Sequence, residues 1–117
     1  MGTKRAFLIA TVSLLCLAMP VVAHHRLEVQ FDPNQIVMLN GTVTNITWAN
    51  PHVHLYITAG GKDPMNWELE MGSPNQLMLH GWKIDTLRRG DHVLVNAYRA
   101  RDGSTLGYAQ TVTKTVH

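Results

Sequence analysis

The sequence predicts a mainly β fold, a small five-stranded barrel with one short helix between the third and fourth strands. Three observations carry this expectation. Five stretches alternate apolar with polar residues and are rich in Val, Ile, Thr and aromatics, with Gly, Pro, Asn and Asp between them. The one clear helix-start signal falls between the third and fourth stretches. The first stretch changes parity beside a glycine, as expected of a bent strand that serves both halves of a closed sheet.

Residues 36–48 form the first predicted strand. Leu39, Gly41 and Val43 share one parity and Ile46 and Trp48 the other, so a bulge or bend is expected near Gly41. Asn50-Pro51 marks a turn. Residues 52–58 follow, with Val53, Leu55 and Ile57 facing the core and His52, His54 and Tyr56 facing out. After the turn-rich 60–64 segment, residues 66–71 put Trp67, Leu69 and Met71 inward and Glu68 and Glu70 outward.

In Gly72-Ser73-Pro74-Asn75-Gln76, Ser73 is suited to cap a helix, Pro74 to occupy its first position and Gln76 to complete a capping box. The helix should end near His80, with Gly81 left-handed just beyond it, and Trp82 and Leu87 packed beneath. Residues 92–100 are the fourth strand, with Val93, Val95 and Ala97 inward. Residues 101–104 are a hairpin turn and residues 106–116 the fifth strand. Three strands, a helix and two strands is the OB-like order. A β-sandwich would want more strands and no helix at that place.

Residues 1–23 read as a cleavable signal peptide. Lys4 and Arg5 supply the positive start, residues 6–18 form an uncharged apolar run too short for a membrane span, and Val21-Val22-Ala23 offers a cleavage site. The expected organisation is signal peptide 1–23, an extended segment 24–35 and the barrel domain 36–117, in a periplasmic or secreted protein with no stable membrane anchor after cleavage. The whole chain holds 10 Lys and Arg against 8 Asp and Glu. Lys4 and Arg5 fall in the leader, which has no acidic residue, so the remainder is balanced. With no clustered cation stripe, a nucleic-acid partner is not expected. Cys16 is the only cysteine and lies in the leader, so no disulfide framework supports the domain.

Histidine is the unusual feature. Cleavage after Ala23 makes His24 the amino-terminal residue, whose amine and imidazole Nδ1 chelate one metal ion while a further imidazole completes the site. Cleavage one residue earlier leaves Ala-His-His, with His25 third, an amino-terminal Cu/Ni chelation pattern. Such nitrogen donors suit Cu(II), Ni(II) and Zn(II). The competing reading is a tail with incidental metal affinity.

His52 and His54 are the second candidates, about 7 Å apart at Cα on one strand face. A register that pairs Tyr56 with Glu68 also pairs His54 with Glu70, giving a His52/His54/Glu70 metal cluster with Tyr56 and Glu68 as a neighbouring ligand face. The competing reading is a solvated sheet face stabilised by cross-strand pairs. His80 suits a helix end, His92 an outward strand position, and His117 is terminal. Trp48, Trp67 and Trp82 read as packing. Catalysis has little support. Ser73 is better explained as a cap than as a nucleophile, and no Gly-x-Ser-x-Gly elbow, phosphate loop or dinucleotide fingerprint occurs.

Several motifs together resemble a family of small exported bacterial proteins known only as a domain of unknown function. They are His24-His25, Phe31-Asp32-Pro33-Asn34, Gly41-Thr42-Val43, Trp48-Ala49-Asn50-Pro51-His52-Val53, Gly72-Ser73-Pro74-Asn75, Gly81-Trp82, Gly90-Asp91 and Arg101-Asp102-Gly103-Ser104. The resemblance implies an exported OB-like barrel and no particular activity. Two positions depart from the family pattern: Arg26, where members tend to have Ser, and His54, where they tend to have an aromatic. His24, His25 and His52 fit it.

The expectation is therefore a periplasmic binding or accessory protein, not an enzyme, that binds a divalent transition metal. Copper as Cu(II) is foremost, through His24 and His25 with His52 as a further ligand. The alternatives are a protein-interaction or envelope-stress module that docks a periplasmic partner without metal, and a small polar ligand or oligosaccharide on the outer face of the second and third strands.

Overall fold

The computed structural model describes residues 9–10 and 27–115. His24, His25, His117 and the expected leader, apart from Ile9 and Ala10, lie outside the described residues. The elements are β1 (Ile9–Ala10), β2 (Phe31–Thr47), β3 (His54–Ala59), β4 (Met65–Glu70), α1 (Pro74–Leu79), β5 (His92–Ala100) and β6 (Leu106–Thr115). The fold is mainly β, with the five long strands and α1 in the expected order; residues 27–30 add a second short helical stretch where an extended segment was expected. Among the described residues no helix is long and apolar enough to cross a membrane.

The strands run in the order β1-β6-β4-β3-β2-β5, and a further β5–β6 pairing joins β5, at one end of that series, to β6, the second strand from the other end. The pairings are antiparallel except for β4–β6, which is parallel over Glu68↔Leu106, Leu69↔Gly107 and Glu70↔Tyr108. The 17-residue β2 serves two neighbours: its first part pairs with β5 and its second with β3.

The bend comes where the parity changes. Val43 faces Ile57 and Asn45 faces Tyr56, so Thr44 is the extra residue of a bulge. Its hydroxyl donates to the Tyr56 carbonyl at 3.1 Å. Beyond the bulge, Ile46 and Trp48 pack against the core as the changed parity requires. Gly41 lies just before it, where a Cβ would stand 2.6 Å from the Thr58 carbonyl oxygen. Glycine therefore permits the close approach of β2 to β3.

One boundary differs from expectation. The strand begins at Phe31, so residues 31–35 belong to β2 and are not a separate extended segment. Phe31↔Ala100 and Asp32↔Arg99 pair, the register then slips, and the ladder resumes at Ile36↔Tyr98. The slip contains Pro33, which has no amide to donate, and the Asn34 amide turns back to Asp32 Oδ1 at 2.9 Å. Phe31 is held instead by a small second core of Leu27, Phe31, Ala100 and Tyr108, in which the Phe31 and Tyr108 rings lie 6.0 Å apart. Arg101 Nε donates to the Glu28 carbonyl at 2.7 Å, tying the segment to the β5–β6 turn.

The main core gathers Val53, Leu55 and Ile57, Trp67, Leu69 and Met71, and Val93, Val95 and Ala97, the inward sets expected of β3, β4 and β5 and their flanks. Leu77, Trp82 and Leu87 close it from the helix side. The capping box is complete: Gln76 N–H donates to Ser73 Oγ at 3.1 Å and Ser73 N–H to Gln76 Oε1 at 2.9 Å. His80 is the C-cap and Gly81 follows at φ 89°, a conformation that costs a glycine little.

Candidate functional site

The chemistry-bearing side chains on β3 and β4 share one outer face. Alternation forces this, because Val53, Leu55 and Ile57 are buried and their neighbours must point away from the core. Two bonds extend the β3–β4 ladder past its formal end: Val53 N–H to the Gly72 carbonyl at 2.9 Å, and Met71 N–H to the Val53 carbonyl at 2.8 Å. They bring His52, which follows the cis Asn50-Pro51 bond, alongside Glu70.

The register is the expected one, with His54 opposite Glu70 and Tyr56 opposite Glu68. The side chains nevertheless pair along diagonals. His52 Nδ1 lies 3.3 Å from Glu70 Oε2, and His54 Nδ1 lies 3.6 Å from Glu68 Oε2. The expected convergence of His52, His54 and Glu70 is thus replaced by two separate imidazole–carboxylate pairs, because sheet twist carries each side chain toward its diagonal neighbour. Among the described residues no group of three or more His, Cys, Asp or Glu side chains is placed to hold a metal ion.

The two pairs differ. Glu70 is the more buried partner of the first, 13% exposed against 24% for His52. Glu68 is the more open partner of the second, 42% exposed against 34% for His54. In both it is Nδ1 that meets the carboxylate, so Nε2 is the ring nitrogen outside the pair. Farther along, Thr58 Oγ1 donates to Asn66 Oδ1 at 2.9 Å.

Tyr56 and Glu68 also border an open cleft of about 530 Å³, whose rim includes Thr44, Asn45, Asn66 and Thr105. Trp67 also lines it, and the Arg99 guanidinium stands 5.3 Å from that ring. The alternation pattern alone did not mark this cleft. It depends on the bulge at Thr44 and on β4 pairing with β6 only over its last three residues.

The other described histidines sit on different elements. His80 caps α1. His92 Nδ1 approaches Thr42 Oγ1 at 3.3 Å on β5. Trp67 and Trp82 are buried in the main core, as packing requires.

A family model described as "Family of unknown function (DUF6152)" matches residues 10–110. The chain belongs to this family. The DUF6152 match takes in both imidazole–carboxylate pairs and every residue named on the cleft. Membership agrees with the resemblance to a domain of unknown function. No curated protein and no solved structure gives a significant match to this DUF6152 chain.

Proposed function

We propose that this chain is an exported periplasmic binding module, an OB-like β-barrel with no catalytic role, that holds a divalent transition metal, with Cu(II) first among the candidates. The observation that carries the metal reading is the pair of half-exposed imidazoles, His52 and His54, held on one strand face with Nε2 outside each carboxylate pair. Imidazole nitrogen suits Cu(II) and Zn(II). The closed series of pairings among five long strands, with α1 between β4 and β5, supports the barrel. The order of charge, apolar run and small residues in 1–23 supports export.

On this reading, cleavage after Ala23 frees the amine of His24, which chelates with its own Nδ1. His25 adds a neighbouring donor and His52 a further imidazole. The open cleft beside Tyr56 and Glu68 favours a second reading, a small polar ligand on the same face.

Calorimetric titration of the processed protein with Cu(II), beside a form with one extra amino-terminal residue, tests the proposal. Tight binding that the extra residue abolishes is the result expected. Equal, weak binding in both forms would overturn the metal reading and leave the cleft as the working site. Sequencing the mature amino terminus tests export, and a protein that still begins at Met1 contradicts it.

A further inference from the structure

The first half of β2 is an open edge. It pairs with β5, whereas β3 reaches back along it only to Gly41↔Ala59. Among the described residues no strand lies on the other side of residues 31–40. The register against β5 is unbroken from Ile36 to Thr42, and Val43 N–H donates to the Asp91 carbonyl on that side at 2.8 Å. In an antiparallel ladder alternate residues turn their backbone groups to the same neighbour. Val37 and Leu39 therefore bond toward β5, as Val43 does, and Ile36 and Met38 direct N–H and C=O to the open edge.

The side chains of these two residues are open as well. Ile36 is 61% exposed and Met38 76%. Leu94 extends the apolar surface onto β5, where it lines a cavity with Met38. From Pro33 to Thr47 the strand carries no charged side chain. Edge strands are ordinarily protected by lysine, proline or a bulge; here the proline and the register slip lie before Ile36. A cavity of about 380 Å³ beside Met38, Gly60 and Met65 leaves space where β3 turns away.

We propose that this edge pairs with its own counterpart in a second copy of the chain, the two β2 strands running antiparallel about a two-fold axis at Val37. A two-fold interface is self-complementary, so each residue must suit the residue that meets it in return. Ile36 and Met38 satisfy this, because both present backbone groups to the edge and they stand two residues apart. Ile36 of each copy faces Met38 of the other. Each such pair exchanges two backbone hydrogen bonds and packs one apolar side chain against another. Charge decides for a second copy. An uncharged strand meets its twin with no like charges opposed, and it offers nothing that would select a charged peptide. The pairing is independent of the metal reading above.

Sedimentation equilibrium of the processed chain, from micromolar to millimolar concentration, tests it. A mass that rises toward twice the monomer's is expected, and a monomer throughout overturns the proposal. Two double variants test the register. Ile36→Lys with Met38→Lys sets lysine opposite lysine twice and should raise the dissociation constant about tenfold or more. Ile36→Lys with Met38→Glu sets lysine opposite glutamate twice and should restore most of the association. Both positions are exposed, so both variants should keep the parent's circular dichroism. A dimer that survives the lysine pair, or that both variants lose alike, overturns this interface.

Amide hydrogen exchange is the second readout. The amides of Ile36 and Met38 should exchange more slowly as concentration rises, whereas those of Val37 and Leu39 stay protected throughout. Slow exchange at Ile36 and Met38 in the monomer would put another segment of the same chain on the edge. Slowing only on addition of an extended peptide would put a foreign strand there. Either result overturns the second copy.

Discussion

Gly41 is the position where one added methyl group should cost most for its size. Its Cβ would meet the Thr58 carbonyl oxygen at 2.6 Å, Ala59 Cβ at 3.0 Å and Ile57 Cδ1 at 3.2 Å. The nearest atom is backbone within a paired strand, so no rotamer change relieves the clash. Relief requires β2 and β3 to separate at Gly41↔Ala59 and Thr42↔Thr58, beside the bulge that bends β2. Overpacking of this kind costs about 1–3 kcal/mol. Against it, alanine loses less chain entropy than glycine in a strand, worth about 0.5–1 kcal/mol. A 2.6 Å approach to a backbone oxygen belongs in the upper part of that range, about 2–3 kcal/mol, so the net expectation for Gly41→Ala is a loss of about 1–2.5 kcal/mol. For a domain of this size that lowers Tm by roughly 4–20 °C.

Thermal unfolding followed by circular dichroism measures it. Gly61→Ala is the control, since nothing lies within 4 Å of its added Cβ, and it should stay within about 0.5 kcal/mol of the parent. Gly41→Val should be worse than Gly41→Ala. If Gly41→Ala melts with the parent, or Gly41→Val is tolerated, the close approach of the two strands is not what glycine serves here.

Three further outcomes are expected. Ser73→Ala removes the helix cap and should cost about 0.5–2 kcal/mol in urea unfolding, with an unchanged m value. Leu55→Ala, at a fully buried site, should cost about 2–5 kcal/mol, whereas Leu79→Ala, 81% exposed, should stay within about 0.5 kcal/mol. Arg99→Lys should speed amide exchange in the β5–β6 turn. Arg99 donates to the Gly103 and Ser104 carbonyls at 2.6 and 3.1 Å while standing over Trp67, and a lysine cannot reproduce that fork.

Much of the fold was legible because local pattern and tertiary demand agree. The bounds of β5 match because alternation runs from His92 to Ala97 and a glycine turn lies on either side of the strand, although the parity changes before its end, where Ala100 and not Arg99 is buried. The bulge was legible because a parity change cannot be absorbed otherwise. The start of β2 was not, since Asp32-Pro33-Asn34 looks like a turn. What holds Phe31 in the sheet is Tyr108, far along the chain. The parallel β4–β6 pairing was also hidden, because alternation sets which face a residue takes and not which strand lies beside it.

The candidate site divides the same way. The His54–Glu70 and Tyr56–Glu68 register followed from two alternating strands joined by a short turn. The diagonal side-chain pairing did not, because it depends on twist and rotamer. Glu70 therefore looked like a ligand in the sequence, whereas in the structure it lies against Nδ1 of His52.

The electron paramagnetic resonance spectrum of the processed chain with one equivalent of Cu(II) tests the metal proposal most directly. Coupling to imidazole nitrogen, diminished by His52→Ala, is the result expected. A spectrum of aquated copper, or one that His52→Ala leaves untouched, would contradict it.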